Sequence, residues 1–217
     1  MKRNLDFKIL KISSMSDIEL LKMLNIFKLR HKRGLSQFEL AFLLGQRDLY
    51  VRDFERPDHT LILGLSENNT IRIIFKCELA DFVPLSTSAI SGAIQISYHI
   101  DEQDKRSYIA EEKTGNGKWK EFLRFGDEEK DILLESSSLI TDTQVQCWID
   151  EKYNHGYFNV AKSALEIFLD CEAHFGEPVR PLFIANAIQH YTKKKKAPRL
   201  VKNRDKMNDY DVFVEEV

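Results

Sequence analysis

Apolar side chains recur at helical spacing through the first third of the chain. Leu20, Met23, Leu24 and Phe27 form one stripe, with Ser16 and Glu19 at capping-box spacing ahead of it, which predicts a first helix from Asp17 to about Arg33. Ser36 then stands where it can cap a second helix whose inward positions are Leu40, Ala41 and Leu44, and Gly45 follows as the residue free to end it in the left-handed conformation. A third, short helix is expected from near Asp48. Its Val51 and Phe54, three apart, would face back onto Leu40 and Leu44, leaving Asp48, Leu49, Arg52 and Asp53 outward. Residues 70–77 carry Ile71, Ile73 and Ile74, a β-branched run that suits a strand as well as a helix. Pro84 is a natural stop.

The period shortens after residue 85. Residues 93–100 alternate apolar and polar side chains, and residues 106–110 can return as a partner strand across the polar turn 101–105. A second polar turn at 114–117 leads to a further strand-like run over 118–125. Residues 85–140 hold 11 acidic and 7 basic residues, a local charge of −4, which makes this stretch a poor DNA contact and suggests a charged, solvated linker subdomain. From 141 the helical spacing returns: Val145, Trp148 and Ile149 within 141–154, then Ala164, Leu165, Phe168 and Leu169 within 160–175. Pro181 can open a third helix through Tyr191, and residues 200–202 and 210–214 are strand-like around a polar turn. Three helices followed by a hairpin resemble the order of a winged helix.

The residues from Leu29 to Glu55 carry a sharper likeness. Leu29, Arg30, Gly34, Leu35, Ser36, Gln37, Leu40 and Ala41, then the turn residue Gly45, apolar Val51 and Phe54 and the closing Glu55, resemble the Cro/repressor (XRE) family of helix-turn-helix proteins. The resemblance implies a five-helix N-terminal domain over 14–84, with 70–77 and 78–84 as its last two short helices. It implies an ion pair between Arg30 and Glu55, and a phosphate contact at Gln37. It also implies a homodimer on paired half-sites of double-stranded DNA. Base-reading positions fall on Asp48, Leu49 and Asp53, flanked by Arg47, Tyr50 and Arg52. Two carboxylates there depart from the family's usual residues, although an Asp can accept from cytosine N4.

A second basic feature lies near the end of the chain. Lys193, Lys194, Lys195 and Lys196 are followed by Arg199, Lys202, Arg204 and Lys206, with only Asp205 opposing. Such a cluster suits phosphates, and it equally suits a helix C-terminus and a solvated loop. It is also similar to a nuclear import signal, but the family likeness points to a bacterial or phage setting.

Composition narrows the function classes. The 217 residues are 43% hydrophobic and 30% charged with a net charge of −2, so the chain can form two or three small domains, and DNA contact must come from local patches. Cys77, Cys147 and Cys171 are scattered and read as buried free thiols of a reducing cytoplasm. No apolar run approaches membrane-spanning length, and residues 1–6 lack the apolar core of a secretory signal. The six histidines show no ligand-like spacing, residues 154–157 read as a helix end, and neither a phosphate-cradling loop nor a nucleophile elbow occurs. Neither catalysis nor a metal or cofactor is expected. The expected fold is mainly α with a smaller β part, divided into a helix-turn-helix domain over 14–84, an acidic hairpin-containing segment over 85–140 and a helical, winged-helix-like domain over 141–217. The expected function is transcription regulation through DNA binding. The alternative is a protein-binding helix-turn-helix module acting as an antitoxin, immunity or adaptor protein.

Overall fold

The computed structural model describes residues 8–10, 17–57, 59, 61–84, 94–100, 106–126, 139–206 and 209–216. Seven α-helices and two small antiparallel sheets lie among them. The chain divides into two compact units that interleave along the sequence, Met1–Leu29 with Arg52–Ile62 and Glu78–Lys130, and Arg30–Val51 with Leu63–Cys77 and Asp131–Val217. These units differ from the three consecutive segments expected, because strands and helices distant in sequence share a core.

The first unit joins most of helix α1 (Asp17–Lys32) to a sheet in the order β1 (Lys8–Leu10), β2 (Ile94–Ile100), β3 (Arg106–Lys113) and β4 (Trp119–Gly126). Leu20, Met23, Leu24 and Phe27 are buried as their spacing predicts. Tyr98 pairs with Tyr108, and Tyr108 with Phe125, so three rings stand on one face of the sheet. The Tyr108 and Phe125 rings stack at 5.0 Å, and Phe27 of α1 meets Phe125 at 5.3 Å. The middle of the chain is therefore a core-forming sheet and not a solvated linker. A bulge interrupts the β3–β4 register: Leu123 opposes Ala110 and Glu121 opposes Glu111, leaving Phe122 as the extra residue. Strand β1 carries no signal of its own, being three residues long. Ser16, Ala93 and the expected turn at 101–105 lie outside the described residues.

In the second unit, helix α2 (Gln37–Leu43) is capped as expected by Ser36, whose hydroxyl accepts from the Glu39 amide at 3.1 Å while the Glu39 carboxylate accepts from the Ser36 amide at 2.9 Å. The β-branched run belongs to a helix, α4 (Leu65–Phe75), with Ile71 and Ile74 buried and Lys76 in the left-handed conformation that ends it. Leu79–Asp81, in the first unit, form a 3-10 turn.

The C-terminal part of the second unit runs α5 (Asp142–Asn154), β5 (Lys162–Ser163), α6 (Ala164–Phe175), α7 (Pro181–Thr192), β6 (Arg199–Asp205) and β7 (Tyr210–Glu216), with strand order β5–β7–β6. Thr141 caps α5, and Pro181 occupies the first turn of α7. Helix α6 starts later than expected, because Tyr157–Asn159 form a 3-10 turn and β5 pairs with β7 before Ser163 caps the helix. Its buried face is Ala164, Ile167, Phe168 and Cys171, so Leu165 and Leu169 stand at the margin. Burial, reinforced by the neighbouring Glu172 carboxylate, pushes the Cys171 thiol up to about 12. Cys147 is exposed, against the expectation of a buried thiol, because it lies on the solvent side of α5.

Candidate nucleic-acid interface

The segment from α2 into α3 (Tyr50–Phe54) forms two helices joined by a tight turn. Gly45 sits at φ +63°, and the Gln46 amide closes back on the Ala41 carbonyl at 3.0 Å. Leu40, Leu44, Val51 and Phe54 are all buried, as the spacing predicts. Arg47, Asp48 and Leu49 remain exposed in the turn just ahead of α3, with Leu49 at 47%. Tyr50 is half-buried and donates its hydroxyl to Glu67 at 3.2 Å. Burial and the Glu67 carboxylate both raise that phenol's pKa, so it stays a neutral donor.

Two of the expected contact residues are withdrawn. Gln37 keeps only 9% exposure, because its helix N-terminus is enclosed within the unit. Asp53 keeps 7%, and its carboxylate pairs with Arg52 at 3.3 Å instead of standing outward. Arg30 and Glu55, assigned to an ion pair by the family likeness, are buried at 1% and 3% exposure, and Arg30 donates to the Leu35 carbonyl at 2.8 Å. An arginine buried to that degree holds structure and cannot reach a ligand.

The turn is held from the far end of the chain. The Arg204 guanidinium on β6 donates to the Gly45 carbonyl at 2.9 Å and to the Gln46 side-chain oxygen at 3.0 Å. The same fork pairs with Asp209 at 3.0 Å and Asp211 at 3.2 Å. The Asp211 amide donates to the Gly45 carbonyl and the Gln46 side-chain amide to the Asp209 carbonyl, each at 2.8 Å. At the other end of α2, the fully buried Glu39 accepts from Arg180 at 3.3 Å and from the Leu182 amide at 3.3 Å. One carboxylate thus caps the starts of both α2 and α7. A groove of about 150 Å³ runs between these elements, floored by Phe38, Phe42, Ile188 and Phe213.

The lysine cluster divides by environment. Lys193, Lys195 and Lys196 are exposed. Lys194 instead lies over the Tyr191 ring at 4.2 Å and the Tyr153 ring at 5.3 Å, and those rings stack on each other at 4.2 Å. Arg199 pairs with Glu216 at 2.5 Å, so its charge is already met. Sequence reasoning named neither Gln46, Glu39 nor Arg180 for any role, and it took Arg204 only as one more positive charge. The partners lie more than 140 positions away in sequence, beyond any local pattern.

Among the described residues no three His, Cys, Asp or Glu side chains converge as a metal site, and no helix is long and apolar enough to cross a membrane. Comparison with known proteins found no matching family model, no matching curated protein and no matching solved structure.

Proposed function

We propose that this chain is a DNA-binding transcriptional regulator of the cytoplasm, acting as a homodimer, in which α2, the Gly45 turn and α3 form a Cro/repressor-like helix-turn-helix. One observation supports this most: a capped, glycine-closed turn leaves Arg47, Asp48 and Leu49 exposed together just ahead of α3. These three offer a cation for guanine or phosphate, an acceptor for cytosine N4 and an apolar contact for a thymine methyl. Lys193, Lys195 and Lys196 belong to the same compact unit and can add phosphate contacts at the end of a winged-helix-like module.

A protein-binding role is the second reading. It is favoured by the withdrawal of Gln37 and by Asp48 beside the half-exposed Leu49, an acidic and apolar pair better suited to a polypeptide than to a phosphate backbone. Selection from a random duplex pool across a salt series separates the two. Recovery of a defined sequence, weakened by Arg47→Ala, supports the regulator. A flat signal at low salt in the wild-type protein favours the polypeptide partner.

A further inference from the structure

We infer that the β6–β7 hairpin is the positioning element of the reading end of the helix-turn-helix, with Arg204 as its positioning residue; this rests on the DNA-reading role proposed above. Gln46 is immediately followed by the three exposed residues of the turn ahead of α3, so whatever fixes Gln46 fixes where they point. Gln46 is 8% exposed, and both ends of its amide are occupied, the oxygen by Arg204 and the nitrogen by the Asp209 carbonyl. The Gly45 carbonyl takes two donors, the Arg204 guanidinium and the Asp211 amide. Five-donor planar geometry is what lets one side chain grip the turn and the hairpin together; an ammonium could not keep all four acceptors.

Arg204 is at the same time unsuited to touching DNA itself. Asp209 and Asp211 both face its guanidinium, and Lys202 shares Asp211 at 2.6 Å, so the charge of Arg204 is already met within the hairpin. The approach is also close: a Cβ on Gly45 would meet Tyr210 Cβ at 2.7 Å and the Asp211 nitrogen at 2.9 Å. The hairpin backbone therefore fits only against this turn in this conformation. Preorganisation of this kind raises the affinity for a correct site without adding a contact to it.

The test compares full-length wild type, Arg204→Ala and Arg204→Lys on the duplex recovered by selection and on a scrambled duplex, together with native-state amide exchange. Arg204→Ala is expected to reduce the ratio of specific to nonspecific affinity by about tenfold or more, with the nonspecific affinity and its salt slope unchanged. Arg204→Lys should rescue little of that loss. Amide protection should fall at residues 45–50 and remain intact in α5. An equal drop on both duplexes, with a salt slope shallower by about 0.9, would make Arg204 a phosphate contact and overturn the inference. So would unchanged specificity. If wild type selects no duplex, the regulator reading fails; the hairpin's hold on the turn is then decided by exchange alone, and unaltered protection at 45–50 in Arg204→Ala overturns it.

Discussion

A methyl group at position 45 meets two separate obstacles. The backbone there has φ +63°, which costs an L residue about 1 kcal/mol, and the added carbon would sit 2.7 Å from Tyr210 Cβ. Were the turn open to solvent, Asn would be tolerated almost as well as Gly, since Asn visits the left-handed region readily. Here the neighbour is a hairpin backbone that cannot swing away. Gly45→Ala and Gly45→Asn should therefore both destabilise, by about 2–3 kcal/mol, as read from urea midpoints at unchanged m-value. Full rescue by Asn would mean that the hairpin does not rest on the turn. The sequence reveals the first obstacle, because a Gly after an amphipathic stripe signals a helix stop. It is silent on the second, which depends on Tyr210 and Asp211.

Elements with self-contained signals were the ones legible in the chain. Ser36 as a cap, the apolar spacing within 141–154 and Pro181 at the first turn of α7 are all local signals, and those helices are found where the pattern predicts. The run containing Ile71, Ile73 and Ile74 was ambiguous because propensity does not separate a buried helix face from a strand, and burial of Ile71 and Ile74 at a spacing of three decided it. The start of α6 was misplaced because β5 exists only through its pairing with β7. Glu39 unites the local and the distant: it caps α2 with Ser36 three residues away, and it holds Arg180 and the Leu182 amide more than 140 positions on, which no local pattern reveals. Replacing Glu39 by Gln keeps the shape and removes the charge that all these donors face. The expected cost is about 3 kcal/mol in global stability, measured by denaturant unfolding, because the buried joint loses its charge and the part-buried Arg180 its counter-charge. A loss within 0.5 kcal/mol, the range of an ordinary surface substitution, would show that the cap geometry alone carries the joint.

For the whole molecule, the net charge of −2 gives DNA no general attraction, so any affinity must be concentrated in local basic patches. The second unit gathers the turn, the exposed Arg47 and the lysine cluster into one body, although Gly45 and Lys193 are far apart in sequence. Within the cluster the charges are not equivalent. Lys193, Lys195 and Lys196 stand in solvent, where a phosphate can replace their counterions, while Lys194 is committed to the faces of Tyr191 and Tyr153. Under the proposed DNA-binding reading, Lys195→Ala and Lys196→Ala together should make the salt dependence of binding shallower by up to about 1.8 in log–log slope, with the selected sequence unchanged, since phosphate contacts carry affinity without readout. Lys194→Ala should leave the slope nearly constant and instead lower stability by about 1 kcal/mol, from the lost ring contacts. Equal effects of Lys194 and Lys195 on the slope would dismiss this division of labour; a selected sequence that changed with Lys195 or Lys196 would mean that the cluster reads bases.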